Sequence, residues 1–354
     1  MNLLNKNAFY ALLPLLALAS LTTTQLQAAP SAEKTTVSAV EHVCQGALSA
    51  NSPWLDRTHD YLSANVCQAA VWFDRFFSDA RDEEENADRF IRLVNELEWD
   101  ELNGMDLNLR VRARIELPRF KRFGQSMSLI LTGENNNDAN MVFPQDEAII
   151  ESNPSVTGNT QSKRSLGLLW DVKRDPQSAF SIGSSIRLRS QLKPLFDVRY
   201  RYTYEVDEQN LIRATQNLFW ESDEGFGERT RLDYEVLLQP KTLLRWSASG
   251  MYSQKSDGYE WGIGASIFRN LSRKQSVSFD WTITGDTQPK SEVNEYRFGI
   301  RYRQNFYRPW LFFEIEPEAF LPLEDDYALN WGIALRLEVQ LGRKRDPEQD
   351  SAAF

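Results

Sequence analysis

Between Met105 and Leu117 every second residue is apolar: Leu107, Leu109, Val111, Ala113, Ile115 and Leu117 alternate with Asp106, Asn108, Arg110, Arg112, Arg114 and Glu116. Successive side chains of a β-strand point to opposite faces, so this strand has one wholly apolar and one wholly polar side. A soluble sheet shows such a pattern in one or two strands. Here it recurs at the spacing of hairpins to the end of the chain: Phe196, Val198, Tyr200, Tyr202 and Tyr204; Leu232, Tyr234, Val236 and Leu238; Val277, Phe279, Trp281 and Ile283; Trp331, Ile333, Leu335, Leu337 and Val339.

Segments of this kind match the roughly 9–11 residues that a tilted strand needs to cross the hydrocarbon of a bilayer. The mean hydropathy of −0.49 is that of a polar chain, but lipid-facing and lumen-facing residues alternate in a barrel and average to a polar value. The expected fold class is therefore all-β: a transmembrane, antiparallel, up-and-down β-barrel of about fourteen strands, with twelve as the alternative. Trp170, Trp220, Trp246, Trp281 and Trp331 fall in the apolar phase, mostly towards one end of their strands, where an aromatic girdle belongs.

Thirteen segments run from Met105 onward, and even strand number requires a fourteenth. Ile91, Leu93, Leu97 and Trp99 alternate with Arg92, Glu96 and Glu98 just upstream, and Asn103-Gly104 supplies the turn. Parity then sorts the connections. Residues 118–125, 174–178, 206–209, 239–242, 270–275 and 305–309 form the short periplasmic set, and the long Asn-, Pro-, Ser- and Thr-rich stretch 135–162 lies outside. Pro317, inside the segment 311–319, removes a ladder donor and predicts a bulge or an early end. Leu335 to Leu341 carries the signal for the barrel-assembly machinery, since Phe354 is out of phase with the last strand.

Lys6, an apolar stretch from Phe9 to Leu18 and the site Leu26-Gln27-Ala28 read as a secretory signal. Without a Cys at that junction, a lipoprotein is disfavoured. The expected organisation is a signal peptide at 1–28, a periplasmic helical segment and linker at 29–87, the barrel at 88–342 and a tail at 343–354. In an exported chain the two cysteines, Cys44 and Cys67, suggest one disulfide. Val43, Ala47 and Leu48, then Leu62, Val66, Ala69, Ala70 and Phe73, recur at helical spacing. They predict two short helices clipped by that bridge. Trp72, Phe73, Phe76 and Phe77 form a docking face with three readings: a partial plug in the periplasmic mouth, a site for an envelope partner, or plain packing between the two helices.

Several segments resemble a family of uncharacterised proteobacterial outer-membrane β-barrel proteins with a short N-terminal helical extension. They are Val71-Trp72-Phe73-Asp74-Arg75-Phe76-Phe77, the run Arg110 to Pro118, Tyr302-Arg303-Gln304-Asn305, Arg308-Pro309-Trp310-Leu311-Phe312-Phe313-Glu314 and Glu316-Pro317. Ser78 departs from the glycine of a Phe-Phe-Gly turn. The resemblance implies a barrel with an N-terminal extension, and it carries no catalytic residues with it.

The polar phase sets a charged lumen. Its basic residues include Arg112, Arg187, Arg189, Arg199, Arg201, Arg229, Arg231, Arg297, Arg301 and Arg303, faced by acids among which Glu314, Glu316 and Glu318 stand in a row. Such a lumen is either crossed by ion pairs that satisfy one another or filled with water, its arginines steering a small anionic solute. Barrel enzymes that use histidine are disfavoured, because His42 and His59 both precede the barrel. Glu314 and Glu316 have the spacing of a glycosidase pair, but among so many arginines they read as ion-paired. The net charge of −10 argues against nucleic acid. The cysteines and histidines match no zinc spacing, and no cofactor is expected. The function implied is a channel or solute-uptake protein embedded in outer-membrane lipid; the alternative is a structural or interaction protein of the envelope with a filled lumen.

Overall fold

A sheet of strands that are apolar on one side and charged on the other needs a different medium against each face. Left open, it would also expose two rows of unpaired backbone groups. The computed structural model of the chain meets both demands by closure. It describes residues 66–77 (apart from 68 and 75), 89–117, 126–134, 163–174, 177–188, 192–222, 225–255, 258–288, 290–308 and 310–341. A helix, α1, lies within residues 66–76.

Fourteen strands follow: β1 (Arg89–Asp100), β2 (Gly104–Glu116), β3 (Ser126–Glu134), β4 (Lys163–Arg174), β5 (Ser178–Leu188), β6 (Leu192–Glu205), β7 (Asn210–Glu221), β8 (Gly225–Gln239), β9 (Thr242–Ser253), β10 (Tyr259–Ser272), β11 (Gln275–Asp286), β12 (Glu292–Asn305), β13 (Leu311–Pro322) and β14 (Asn330–Leu341). Each pairs antiparallel with its sequence neighbours, and β14 returns to β1 from Ile91↔Leu341 to Asp100↔Gly332, which closes the barrel.

The upstream segment recruited by parity is thus the closing strand. Its hairpin to β2 turns through Glu101–Asn103, where the Asp100 carboxylate accepts the backbone N–H groups of Leu102 (2.8 Å) and Asn103 (2.6 Å). Gly104 follows at φ +81 with no atom near where a Cβ would stand, so the position needs glycine for its backbone and not for space.

The period-two phase falls as the alternation requires. Leu107, Phe196, Leu232, Phe279, Ile300 and Leu337 all point outward and are exposed, whereas Asn108, Asp197, Asp233, Arg303 and Glu338 on the opposite phase are buried. Exposed apolar side chains recur on every strand of the barrel's outer surface, far more than a protein in water tolerates as one patch. The fold is that of a membrane-spanning barrel.

Two expectations need correction. Pro317 causes neither a bulge nor an early end, since β13 continues to Pro322. Its pairing with β12 keeps one register on both sides, Gly299↔Glu318 and Tyr302↔Ile315, with the pairs between them missing. The absent N–H leaves a gap in the ladder, while the other edge of β13 pairs Pro317 with Ile333. The tryptophans do not gather at one end either. Trp220 and Trp331 lie near the end that carries the 222–224 and 323–329 connections, Trp281 lies mid-strand, and Trp170 and Trp246 lie towards the other end. Tyrosine and phenylalanine complete two girdles: Phe196, Phe226, Tyr252 and Tyr259 at the first end, and Tyr204, Phe306 and Tyr307 at the second.

Candidate functional site

The inward face of the barrel is where chemistry can be placed. On β12, β13, β14, β1 and β2 the charges form one branched network, with Arg297, Glu295 and Glu318 as a separate group beside it. Arg303 donates to Glu314 (3.1 Å) and to Glu338 (2.8 Å), and Arg92 meets Glu338 at 3.3 Å. Arg336 donates to Glu314 (2.7 Å), to Glu316 and to Glu96, and Arg110 also binds Glu96. Arg301 reaches Glu316 at 3.3 Å, while Arg297 holds Glu295 and Glu318, each at 2.7 Å. Further round the barrel Arg114 of β2 pairs with Asp171 of β4 (2.7 Å), Ser181 of β5 donates to the same carboxylate (2.9 Å), and Arg231 of β8 holds Asp233 at 3.0 Å.

Geometry decides what these pairs do to the bore. Every one of them joins residues on a single strand or on strands that are neighbours or next but one in the barrel. They run along the wall rather than across it. Each arginine lies close enough to a carboxylate to offset desolvation, and none of these pairs among the described residues spans the space enclosed by the strands. Arg297 and Arg301 keep 29% of their side chains accessible and Arg336 keeps 20%.

Of the other predicted lumen charges, Arg112, Arg199 and Arg201 lie on the inward phase, and Arg229 directs a guanidinium nitrogen to the Met251 sulfur at 2.8 Å. Arg189 and the side chain of Arg187 lie outside the described residues. Asp197 is buried over Gly183, where a Cβ would meet its Oδ1 at 2.5 Å, and both its carboxylate oxygens lack a hydrogen-bond partner.

The lumen is occupied at one end. α1 sits inside the barrel where β7, β9, β10 and β13 meet their short turns, and Phe73, Phe76 and Phe77 pack with Leu211, Leu243, Phe268 and Phe312. Ring centroids are 5.5 Å apart for Phe73–Phe268, 5.4 Å for Phe77–Phe268 and 6.0 Å for Phe76–Phe312, and Trp72 stacks on Phe76 at 4.9 Å. The four aromatics expected to form a docking face are therefore turned into the barrel and buried. They pack against the inner wall of the barrel at one mouth. Cys67 is buried beside Val71; Cys44, with which it was expected to pair, lies outside the described residues, as do the first helix, the signal segment, residues 135–162 and the tail.

In the midst of the apolar contacts four charges meet in a ring. Asp74 of α1 accepts from Arg213 of β7 (2.7 Å) and from Arg245 of β9 (2.5 Å). Behind them Glu235 of β8 accepts from Arg245 (2.6 Å) and meets Arg213 at 3.3 Å. Each guanidinium bridges the same two carboxylates. All four residues are 3% exposed or less, and Arg245 also lies over the Phe268 ring at 4.9 Å.

Sequence reasoning missed this ring. Asp74 was noticed only within an aromatic run, and Arg213 and Arg245 were left out of the lumen set although they share the inward phase of Leu211 and Leu243. That phase was the available signal.

No protein-family model matches the chain, and no curated relative matches it. Among solved structures it is similar to KdgM porin (9% identity, TM-score 0.34, covering 70% of this chain and 98% of that one). It is also similar to the outer-membrane channel DcaP of Acinetobacter baumannii (7% identity, TM-score 0.43, covering 72% and 96%). A third is the outer-membrane protein OprD from Pseudomonas aeruginosa (11% identity, TM-score 0.41, covering 72% and 93%). What the chain's own geometry defines is a membrane-spanning β-barrel with a charged lumen and a helix lodged in one mouth.

Proposed function

We propose that the protein is an outer-membrane channel for small charged solutes, closed at its periplasmic mouth by α1. The observation that carries this is the course of the ion pairs: among the described residues they follow the wall and leave the side chains of Arg297, Arg301 and Arg336 partly accessible. A barrel that served only as a scaffold would gain by filling its interior with apolar side chains, since a buried ion pair is seldom more stabilising than packed hydrocarbon. Charges maintained along a passage suit hydrated ions moving through it.

In this reading residues 1–28 are removed on export, and both termini and the short turns face the periplasm, with 135–162 outside. Cys44 and Cys67 form a disulfide there, and catalysis has no part. Conductance in planar bilayers tests the proposal. The full mature chain should show low or intermittent current, and deletion of residues 29–87 should give a steady open level. A barrel that stays silent after that deletion refutes the channel.

A further inference from the structure

The chain carries a net charge of −10, yet it sorts its charges by end. No Asp or Glu occurs within residues 236–256, 261–279 or 296–313, which include the β8–β9, β10–β11 and β12–β13 turns and the strand ends that meet them. Lys241, Arg269, Arg273, Lys274 and Arg308 stand there, all exposed, and among the described residues none of them is ion-paired. The nearest acids along the strands, Glu235 and Glu314, are buried on the inward face, and the β6–β7 turn with Asp207 and Glu208 bounds the sector on one side. At the opposite end Glu101, Asp286, Glu292, Glu324, Asp325 and Asp326 lie in or beside the connections.

The basic turns are set in a row by backbone bonds: Asn270 donates to the Lys241 carbonyl (2.9 Å) and Asn305 to the Lys274 carbonyl (2.8 Å). The first two hairpins share a device. Each ladder shifts register just before its turn and leaves one extra residue, Leu238 in β8 and Leu271 in β10, and both leucines are exposed. A bulge re-aims a side chain, and here it sets an apolar group on the outer surface beside the cations of the turn. Arg269 is itself on the outward phase, between the exposed Ile267 and Leu271. In the third turn Arg308 lies over the ring of the exposed Tyr307 at 5.1 Å. The lipid-facing surface thus ends in a band of cations with no carboxylate to meet, at the height where a bilayer presents phosphate.

We propose that this sector of the rim binds anionic phospholipid, its phosphate held by Arg269 and the cations of the three turns, its acyl chains lying along Leu238, Ile267 and Leu271. A zwitterionic headgroup offsets its own phosphate with an ammonium group, so the surface favours lipids of net negative charge. In the orientation proposed above it meets the periplasmic leaflet. The surface owes nothing to conduction and is tested apart from it.

Native mass spectrometry of the folded protein released from non-ionic detergent, offered dioleoyl phosphatidylglycerol and dioleoyl phosphatidylcholine at equal concentration, reads the preference. The anionic lipid should bind at least about tenfold tighter, since each cation near an anionic headgroup is worth on the order of fivefold. Lys241→Gln, Arg269→Gln, Arg273→Gln, Lys274→Gln and Arg308→Gln together should bring the two lipids within about twofold of each other, whereas Lys255→Gln with Lys290→Gln, at the opposite end, should leave the preference intact. No preference in the wild type, a preference that survives the five substitutions, or an equal loss in the control pair overturns the proposal. Glycerol phosphate at the same concentration carries the anion without the chains and should not displace the lipid; displacement would make this a free-anion site and overturn the lipid assignment. If the five-residue variant does not reach the folded, heat-modifiable form, Arg269→Gln with Lys274→Gln decides: a fall of at least about threefold is expected, and an unchanged preference overturns the surface. A barrel that selects phosphatidylglycerol yet stays silent in bilayers keeps this surface and loses the channel, and conduction without lipid preference does the reverse.

Discussion

Phe279 gives the most direct measure of what surrounds the barrel. It is the fifth residue of β11 (Gln275–Asp286), points outward, and pairs with Ile267 of β10 and Ile300 of β12, which are outward too. Four residues at ~3.3 Å each, along a strand tilted by ~40°, place it ~10 Å from the short-turn end, close to the middle of a ~25 Å apolar band. Phe279→Arg therefore puts a guanidinium near the bilayer midplane, which costs about 2–4 kcal/mol. Phe306→Arg, at the rim in the β12–β13 connection, puts the same group where water and headgroups reach it, at a cost of about 0–1 kcal/mol. Reversible guanidinium unfolding of the protein in phospholipid vesicles measures both. If F279R costs less than about 0.5 kcal/mol, or no more than F306R, the outer surface does not face hydrocarbon and the membrane-spanning reading falls.

Three further substitutions separate the roles of individual groups by the same unfolding assay. Arg303→Gln leaves Glu314 and Glu338, both buried, without the guanidinium that joins them, and a loss of about 3–5 kcal/mol is expected. Asp197→Asn acts in the opposite direction, since this carboxylate has no hydrogen-bond partner; stability should be unchanged or higher by about 1–3 kcal/mol, and an equal loss to that of R303Q would mean that Asp197 is paired. Pro317→Val restores the N–H missing from the β12–β13 ladder on an exposed, outward position, with an expected gain of about 0.5–1.5 kcal/mol; a loss would show that the gap is required.

The closed architecture could be read from the chain because alternation and parity are local or countable properties. Arg89 to Trp99 was recruited as a strand by an even-number rule, and it is the strand that seals β14 to β2. Pro317 was misjudged because a missing donor can be met in two ways. The strand can bulge, or it can keep its register and lose bonds on one edge; the unbroken β13–β14 ladder makes the second cheaper here. The girdles were misjudged because sequence gives the face on which a tryptophan lies and not its height along the barrel axis.

Height is also what hid the Asp74 ring. Arg213 and Arg245 come together because both stand two positions inward from the buried Leu211 and Leu243 at the same mouth, while Asp74 arrives from 139 and 171 residues away. Period two says that all three wall residues of the ring face inward; strand register says that they meet; neither says that a helix from upstream will supply the fourth charge. The separation also sets the ring apart from the wall network. Arg303, Glu314, Glu338 and Arg336 are fixed on strands whose backbone ladders would have to break before those pairs part. Asp74 is on an element that no ladder holds, and among the described residues it meets the wall through two guanidinium groups beside the aromatic contacts of α1. It is the one charge of the ring that is not on a strand of the barrel.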